Sequence, residues 1–96
     1  MAKPIPTNMT GGLNDLLGFQ LVEWHSGYAV LEVERDDRHK NRQGGLHGGI
    51  IATMIDAVTG YCGIYEPDPS RRRGNVTVSL NINFINRPKG SLLRAT

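Results

Sequence analysis

Asn41, Gly44, His47, Gly48, Gly49 and Asp56 fall within one short stretch, NRQGGLHGGIIATMID. Together they supply two things that carbonyl chemistry needs. Glycines that open a helix leave backbone N–H groups unpaired in its first turn, where the helix dipole favours negative charge. Such donors suit an oxyanion developing on a carbonyl oxygen. A carboxylate activates water or attacks directly. Asp56 stands nine residues after His47, about two and a half turns along the same helix, and so lies well away from that helix's own N-terminus. If two copies pack with their helices together, Asp56 of one approaches the His47-Gly48 turn of the other. Each residue also has a plainer reading. Gly-Gly before a helix is commonly a turn, a histidine there commonly bonds backbone, and an isolated aspartate is commonly solvated or in a structural ion pair. Only their joint spacing lifts the chemical reading.

The elements around this stretch read as follows. From about Gly48 to Gly63 the apolar residues Ile50, Ile51, Met54, Ile55, Val58, Tyr61 and Cys62 recur at helical spacing. The opposite face holds Gly49, Ala52, Thr53, Asp56, Thr59, Gly60 and Gly63, nearly all small, with Asp56 as the only charge. Upstream, Leu13 to Phe19 reads as a short helix ending at Gly18. Phe19–Trp24 and Tyr28–Arg35 read as a hairpin turning at His25-Ser26-Gly27, with Ala29, Leu31 and Val33 on one face. Asp36–Gly45 and Glu66–Gly74 read as loops. Val76 to Ile85 alternates strictly between apolar and polar residues, the clearest strand pattern in the chain. The helix stripe, at Ile51, Met54, Ile55 and Val58, is expected to pack on Val76, Val78, Leu80 and Ile82. Ser91–Thr96 reads as the beginning of another strand.

Bulk properties narrow the field. Ninety-six residues make one small domain, marginal as a monomer because so little surface is buried. No stretch approaches the roughly 20 apolar residues of a membrane span. The absence of a secretory signal and a single cysteine, Cys62, fit a reducing cytoplasm. A net charge of +2 does not argue for nucleic acid. The Arg71-Arg72-Arg73 knot lacks interleaved aromatics, so a solvated loop or a phosphate contact ranks above DNA or RNA. His25, His39, His47 and Cys62 lack the close pairings of a zinc site. No G-x-S-x-G or P-loop is present.

The pattern N-x-x-G-x-x-H-G-G, followed by Asp nine residues after the His, closely resembles hotdog-fold acyl-CoA thioesterases of the phenylacetic-acid-degradation type. LLGFQLVE, the hairpin and VTVSLNINFINRPKG extend the resemblance from about Leu13 to the C-terminus. It implies an α+β hotdog fold, a curved antiparallel sheet wrapped around a central helix, assembled as a homodimer or dimer of dimers and needing no cofactor. It implies that the Gly48 N–H polarises the thioester carbonyl, with Asn41 and His47 on the same side. Asp56 of the partner subunit is then general base or nucleophile, with Thr77 near it. Phe84, Ile85, Asn86, Arg87, Pro88 and Lys89 match the part that lies against coenzyme A, so Arg87 and Lys89 are expected near its phosphates. Sister families acting on hydroxybenzoyl- or dihydroxynaphthoyl-CoA often hold glutamate where Asp56 stands. Family members continue beyond the end of this chain with strands that complete the sheet. Residues 1–96, a single domain with a flexible arm over 1–12, are thus expected to form a partial sheet with an exposed edge. A non-catalytic acyl-CoA binder, a hotdog hydratase lacking its usual loop residues, and an interaction module or inactive fragment are the competing readings.

Overall fold

The computed structural model describes residues 12–71 and 73–96. The expected arm, up to residue 11, and Arg72 lie outside the described residues. Strands β1 (Gln20–His25) and β2 (Tyr28–Glu34) pair antiparallel from Gln20↔Glu32 to His25↔Tyr28. Ser26-Gly27 joins them, with Gly27 at φ 73°, a left-handed conformation that glycine adopts without a Cβ penalty. The register slips between Leu21 and Glu23, a bulge at Val22. An extra residue in one strand reverses which face the following side chains meet. Leu21 and Trp24, three apart, therefore both enter the core.

Strand β3 (Leu92–Ala95) lies on the far side of β2, giving an antiparallel sheet of order β1-β2-β3. Its register runs from Leu31↔Ala95 to Glu34↔Leu92. The cross-strand pair Glu32↔Arg94 adds a fork: Arg94 Nε and Nη2 both donate to Glu32 Oε2, at 2.9 and 2.7 Å. Glu32 is buried on the face away from the core, and its carboxylate pushes the Arg94 guanidinium further above its ordinary value.

Helix α2 (Gly48–Gly63) has the bounds its periodicity predicts. It lies across the core face of the sheet, where Ala29, Leu31, Val33, Leu21, Trp24 and Leu93 meet Ile50, Met54, Val58 and Tyr61. Burying each large side chain contributes about 1.5–3 kcal/mol. The buried stripe is rotated from the expected one. Ile50 and Tyr61 are inside, whereas Ile51 and Ile55 are only half-buried. Helix α1 (Gly12–Leu16) is short and ends in a turn through Gly18 at φ 79°.

The largest correction concerns Val76–Ile85. Despite its alternation it forms no strand, and Val76 and Val78 are 89 and 96% exposed. The apolar stripe of α2 packs on β1, β2 and β3 instead of on Val76, Val78, Leu80 and Ile82. A strand requires a neighbouring backbone as well as a pattern. Among the described residues, β1 and β2 pair with each other and β3 takes the remaining edge of β2. The segment runs alongside α2 without a ladder, meeting it at Asp56 through Thr77 and at Gly48 through Phe84. Among the described residues no helix is long and apolar enough to cross a membrane.

Candidate active site

The start of α2 is built by the loop before it. Asn41 folds its side chain inward, so that Oδ1 accepts from the N–H groups of Gln43 (2.9 Å) and Gly45 (3.0 Å). The Asn41 N–H donates to the Gly45 carbonyl at 2.7 Å, across a turn in which Gly44 takes φ 85°. Asn41 is thus a turn organiser, and no substrate role is needed to account for its contacts. The His47 N–H then donates to the His39 carbonyl at 2.8 Å, and Lys40↔Leu46 closes an isolated bridge.

His47 is the N-cap of α2, and its Nδ1 accepts from the Gly49 N–H at 2.8 Å. The proton of a neutral His47 ring is therefore on Nε2. A Cβ on Gly49 would stand 2.9 Å from His47 Nδ1, so glycine is what lets the ring fold back. Ile50 N–H donates to the His47 carbonyl at 3.0 Å. The Gly48 N–H has no acceptor among the described residues. It is the open donor of the first turn, at the positive end of the helix dipole. The Phe84 ring lies against it: Phe84 Cε1 is 3.6 Å from where a Gly48 Cβ would be.

Asp56 is half-buried and accepts a hydrogen bond from the Thr77 hydroxyl on Oδ1. Both line an open cleft of about 740 Å³ between α1, α2 and residues 73–77. Leu13, Ala57, Ile64 and Val76 give it apolar walls, and Asn14, Arg73 and Asn75 give it polar ones. Burial pushes the Tyr61 phenol up, Asp15 adds to this, and a hydrogen bond with Asn14 opposes it. Tyr61 is thereby a neutral group on the cleft wall.

The structure brings together Asp56 with Thr77, and Gly48 with His47 and Phe84. It does not bring the two groups together. Eight residues separate Gly48 from Asp56, roughly 12 Å along a helix, too far to hold the same carbonyl within one chain. Of the remaining candidates, Asn86 Oδ1 accepts from the Arg87 N–H at 2.8 Å, Ile85 is 93% exposed and Pro88 is half-buried. Arg87 and Lys89 are exposed and make no ion pair among the described residues. No cluster of three or more His, Cys, Asp or Glu that would hold a metal is found among the described residues.

Two residues escaped the sequence reading. His39 is 1% exposed. Its Nδ1 accepts from the Asp36 N–H at 2.9 Å and its Nε2 donates to the Leu17 carbonyl at 2.7 Å, so it ties α1 to the loop that leads into α2. Asp36 and His39 form a capping box, and their three-residue spacing was a legible signal for it. Arg38 forks onto Asp36 and holds its carboxyl down at about 2. Asn75, which donates from Nδ2 to the Gly60 carbonyl at 3.2 Å, left no comparable signal.

No family model and no solved structure matches this chain. Three curated proteins are similar to it, each named “putative esterase”. One from Pseudomonas aeruginosa is 31% identical over 80 residues, covering 82% of this chain and 58% of that protein. One from Halobacterium salinarum is 30% identical over 86 residues, 85% of this chain and 56% of that protein. One from Saccharolobus solfataricus is 33% identical over 69 residues, 72% and 47% respectively. The chain spans about half the length of the curated relatives it matches. An α+β chain, with one helix laid on an antiparallel sheet, is thus similar to proteins whose shared name is that of an ester hydrolase.

Proposed function

We propose that this chain carries the catalytic core of a cofactor-free acyl-CoA thioesterase of hotdog type, acting as a homodimer or dimer of dimers. The observation that carries the reading is the division of labour along α2. An acceptor-free N–H stands at its first residue, and a carboxylate held by a hydroxyl stands eight residues on, in a cleft. The distance between them asks for a second copy to complete each site. The relatives' names support ester hydrolysis, and the motif resemblance refines it to a coenzyme A thioester.

In the proposed reaction the Gly48 N–H of one protomer donates to the thioester carbonyl, with His47 holding the turn. Asp56 of the other protomer takes a proton from water, which attacks the carbonyl carbon. One carboxylate oxygen is engaged by Thr77, which leaves the other free for that proton. The tetrahedral oxyanion is stabilised more strongly than the ground-state carbonyl, the differential binding that lowers the barrier. Collapse breaks the C–S bond, and the thiolate leaves with the proton that Asp56 took. Direct attack by Asp56 through an anhydride reaches the same products. The exposed Arg87 and Lys89 suit the phosphates of coenzyme A, and Phe84, whose ring lies against Gly48, borders the thioester end.

The test is release of free thiol from a panel of aryl- and aliphatic acyl-CoAs by wild type and Asp56→Asn. The variant keeps the shape and loses the base, so kcat should fall about 10²–10⁴-fold with substrate binding retained. A near-normal kcat in Asp56→Asn makes Asp56 structural and removes the mechanism.

A further inference from the structure

Thr77 reaches Asp56 from a segment that has no ladder of its own, so something else must hold it in place. Besides the packing of Phe84 on Gly48, two side-chain hydrogen bonds join that segment to α2: Asn75 to Gly60 and Thr77 to Asp56. Their spacing is matched. Two residues of extended chain rise about 6.6 Å, and the four residues from Asp56 to Gly60 rise about 6 Å. The segment therefore runs antiparallel to the helix with one contact per turn. If Asn75 is seated on Gly60, Thr77 falls on Asp56.

The seat on Gly60 is built by both partners. The last four carbonyls of a helix have no intrahelical acceptor role to fill. The Ile64 N–H bonds the Tyr61 carbonyl at 3.2 Å and not that of Gly60. The Gly60 carbonyl is thus left for Asn75. Gly60 itself permits the approach, because a Cβ there would stand 3.3 Å from Asn75 Oδ1. The glycine that the small face of α2 carries at this turn is the one the asparagine sits on.

We infer that Asn75 is a positioning residue, a latch on the Gly60 carbonyl that sets the Thr77 hydroxyl against the Asp56 carboxylate. Its catalytic meaning rests on the thioesterase reading, but its geometry does not. Asn75 acts through Thr77, so it governs turnover more than the affinity for the acyl-CoA. Asn75→Asp keeps the shape, removes the Nδ2 donor and places a carboxylate against a carbonyl. It should undo the latch at least as fully as Asn75→Ala.

Two measurements on the full chain test this. The first is a crystal structure of Asn75→Ala, in which the Thr77 hydroxyl should be displaced from Asp56; a Thr77–Asp56 hydrogen bond that persists there overturns the latch. The second is kinetics on a cleavable acyl-CoA. Asn75→Ala and Asn75→Asp should lower kcat by roughly 10- to 100-fold with KM little changed. Adding Thr77→Val to Asn75→Ala should cost nothing more, because both act on one contact. Additive losses, or a change confined to KM, also overturn it. If wild type cleaves no acyl-CoA, the thioesterase reading fails by itself, and the crystal structure of the variant still decides the latch.

Discussion

The two ends of α2 are finished in different ways. At the C-terminal end the carbonyls of Gly60 and Tyr61 are taken up by side chains from other elements. The Tyr61 carbonyl accepts from Trp24 Nε1 at 2.8 Å as well as from Ile64 N–H, and the Gly60 carbonyl accepts from Asn75. The Trp24 ring stands edge-on to Tyr61 and Tyr65, with centroids 5.5 and 5.3 Å away. At the N-terminal end His47 satisfies Gly49 and Ile50, but Gly48 is left with a bare donor beneath Phe84. The open end is the one where an anion or a polarised carbonyl gains from the dipole, so the difference separates the part of the helix that holds the fold from the part available to a ligand.

Substitutions should break that contrast at either end, the largest effect coming first. Trp24→Ala empties the closed end, removing a large buried ring and the donor to the Tyr61 carbonyl. Loss of a buried aromatic costs about 3–5 kcal/mol, enough to unfold much of a marginal domain, and urea unfolding followed by far-ultraviolet circular dichroism measures it. At the open end Gly49→Ala should do the reverse. Its Cβ drives the His47 ring off the Gly49 N–H. The lost cap costs ~1 kcal/mol and the better helix residue returns ~1 kcal/mol. The melting temperature should hardly move, while kcat on an acyl-CoA falls by roughly 10-fold through the disturbed Gly48 turn. If instead Trp24→Ala spared the fold and Gly49→Ala destroyed it, the assignment of the two ends would be reversed.

The smallest effect is a pH dependence just upstream of the open end. Arg38 holds the Asp36 carboxyl at about 2 in the fold, against an ordinary value of 3.8. The unfolded chain takes up this proton first as the solution is acidified. The contribution of Asp36 is therefore complete above about pH 4 and drains away as pH falls from 3.8 toward about 2. Over that window urea midpoints of wild type should fall more steeply than those of Asp36→Asn. Parallel curves would show that the fork between Arg38 and Asp36 has no bearing on the loop.

Much of this was legible in the residues because it depends on local period. The bounds of α2, the hairpin and the core face of β2 follow from patterns that a single element imposes on itself. That Ile50 and Tyr61 belong to the α2 stripe was legible; that Ile51 and Ile55 lie at its half-buried edge was not, since this depends on where the sheet and Trp24 dock. Val76–Ile85 shows the limit most clearly: alternation specifies which faces a strand would have, not whether a neighbour exists. At the site, the proximity of Asp56 and Thr77 followed from resemblance alone, because no rule of spacing joins residues 21 apart. Asn75 was invisible for a similar reason, its meaning residing in a carbonyl on another element. Asn41 was read toward a substrate, whereas its contacts are spent on the turn around Gly44 and Gly45.

The bulge at Val22 makes β1 sensitive to register more than to composition. Substitutions at the half-buried Val22 itself change little of the core, since the bulged position has no opposite partner. Straightening the strand with all its residues in place is another matter. Every side chain after Leu21 would then move one place along β2, which turns Glu23 inward and Trp24 to the outer face. Removing Val22 has the opposite outcome: Leu21 and Trp24 then stand two apart, share one face without a bulge, and keep Leu31 and Ala29 as partners. The residue at 22 can therefore change or be lost, so long as Trp24 stays opposite Ala29.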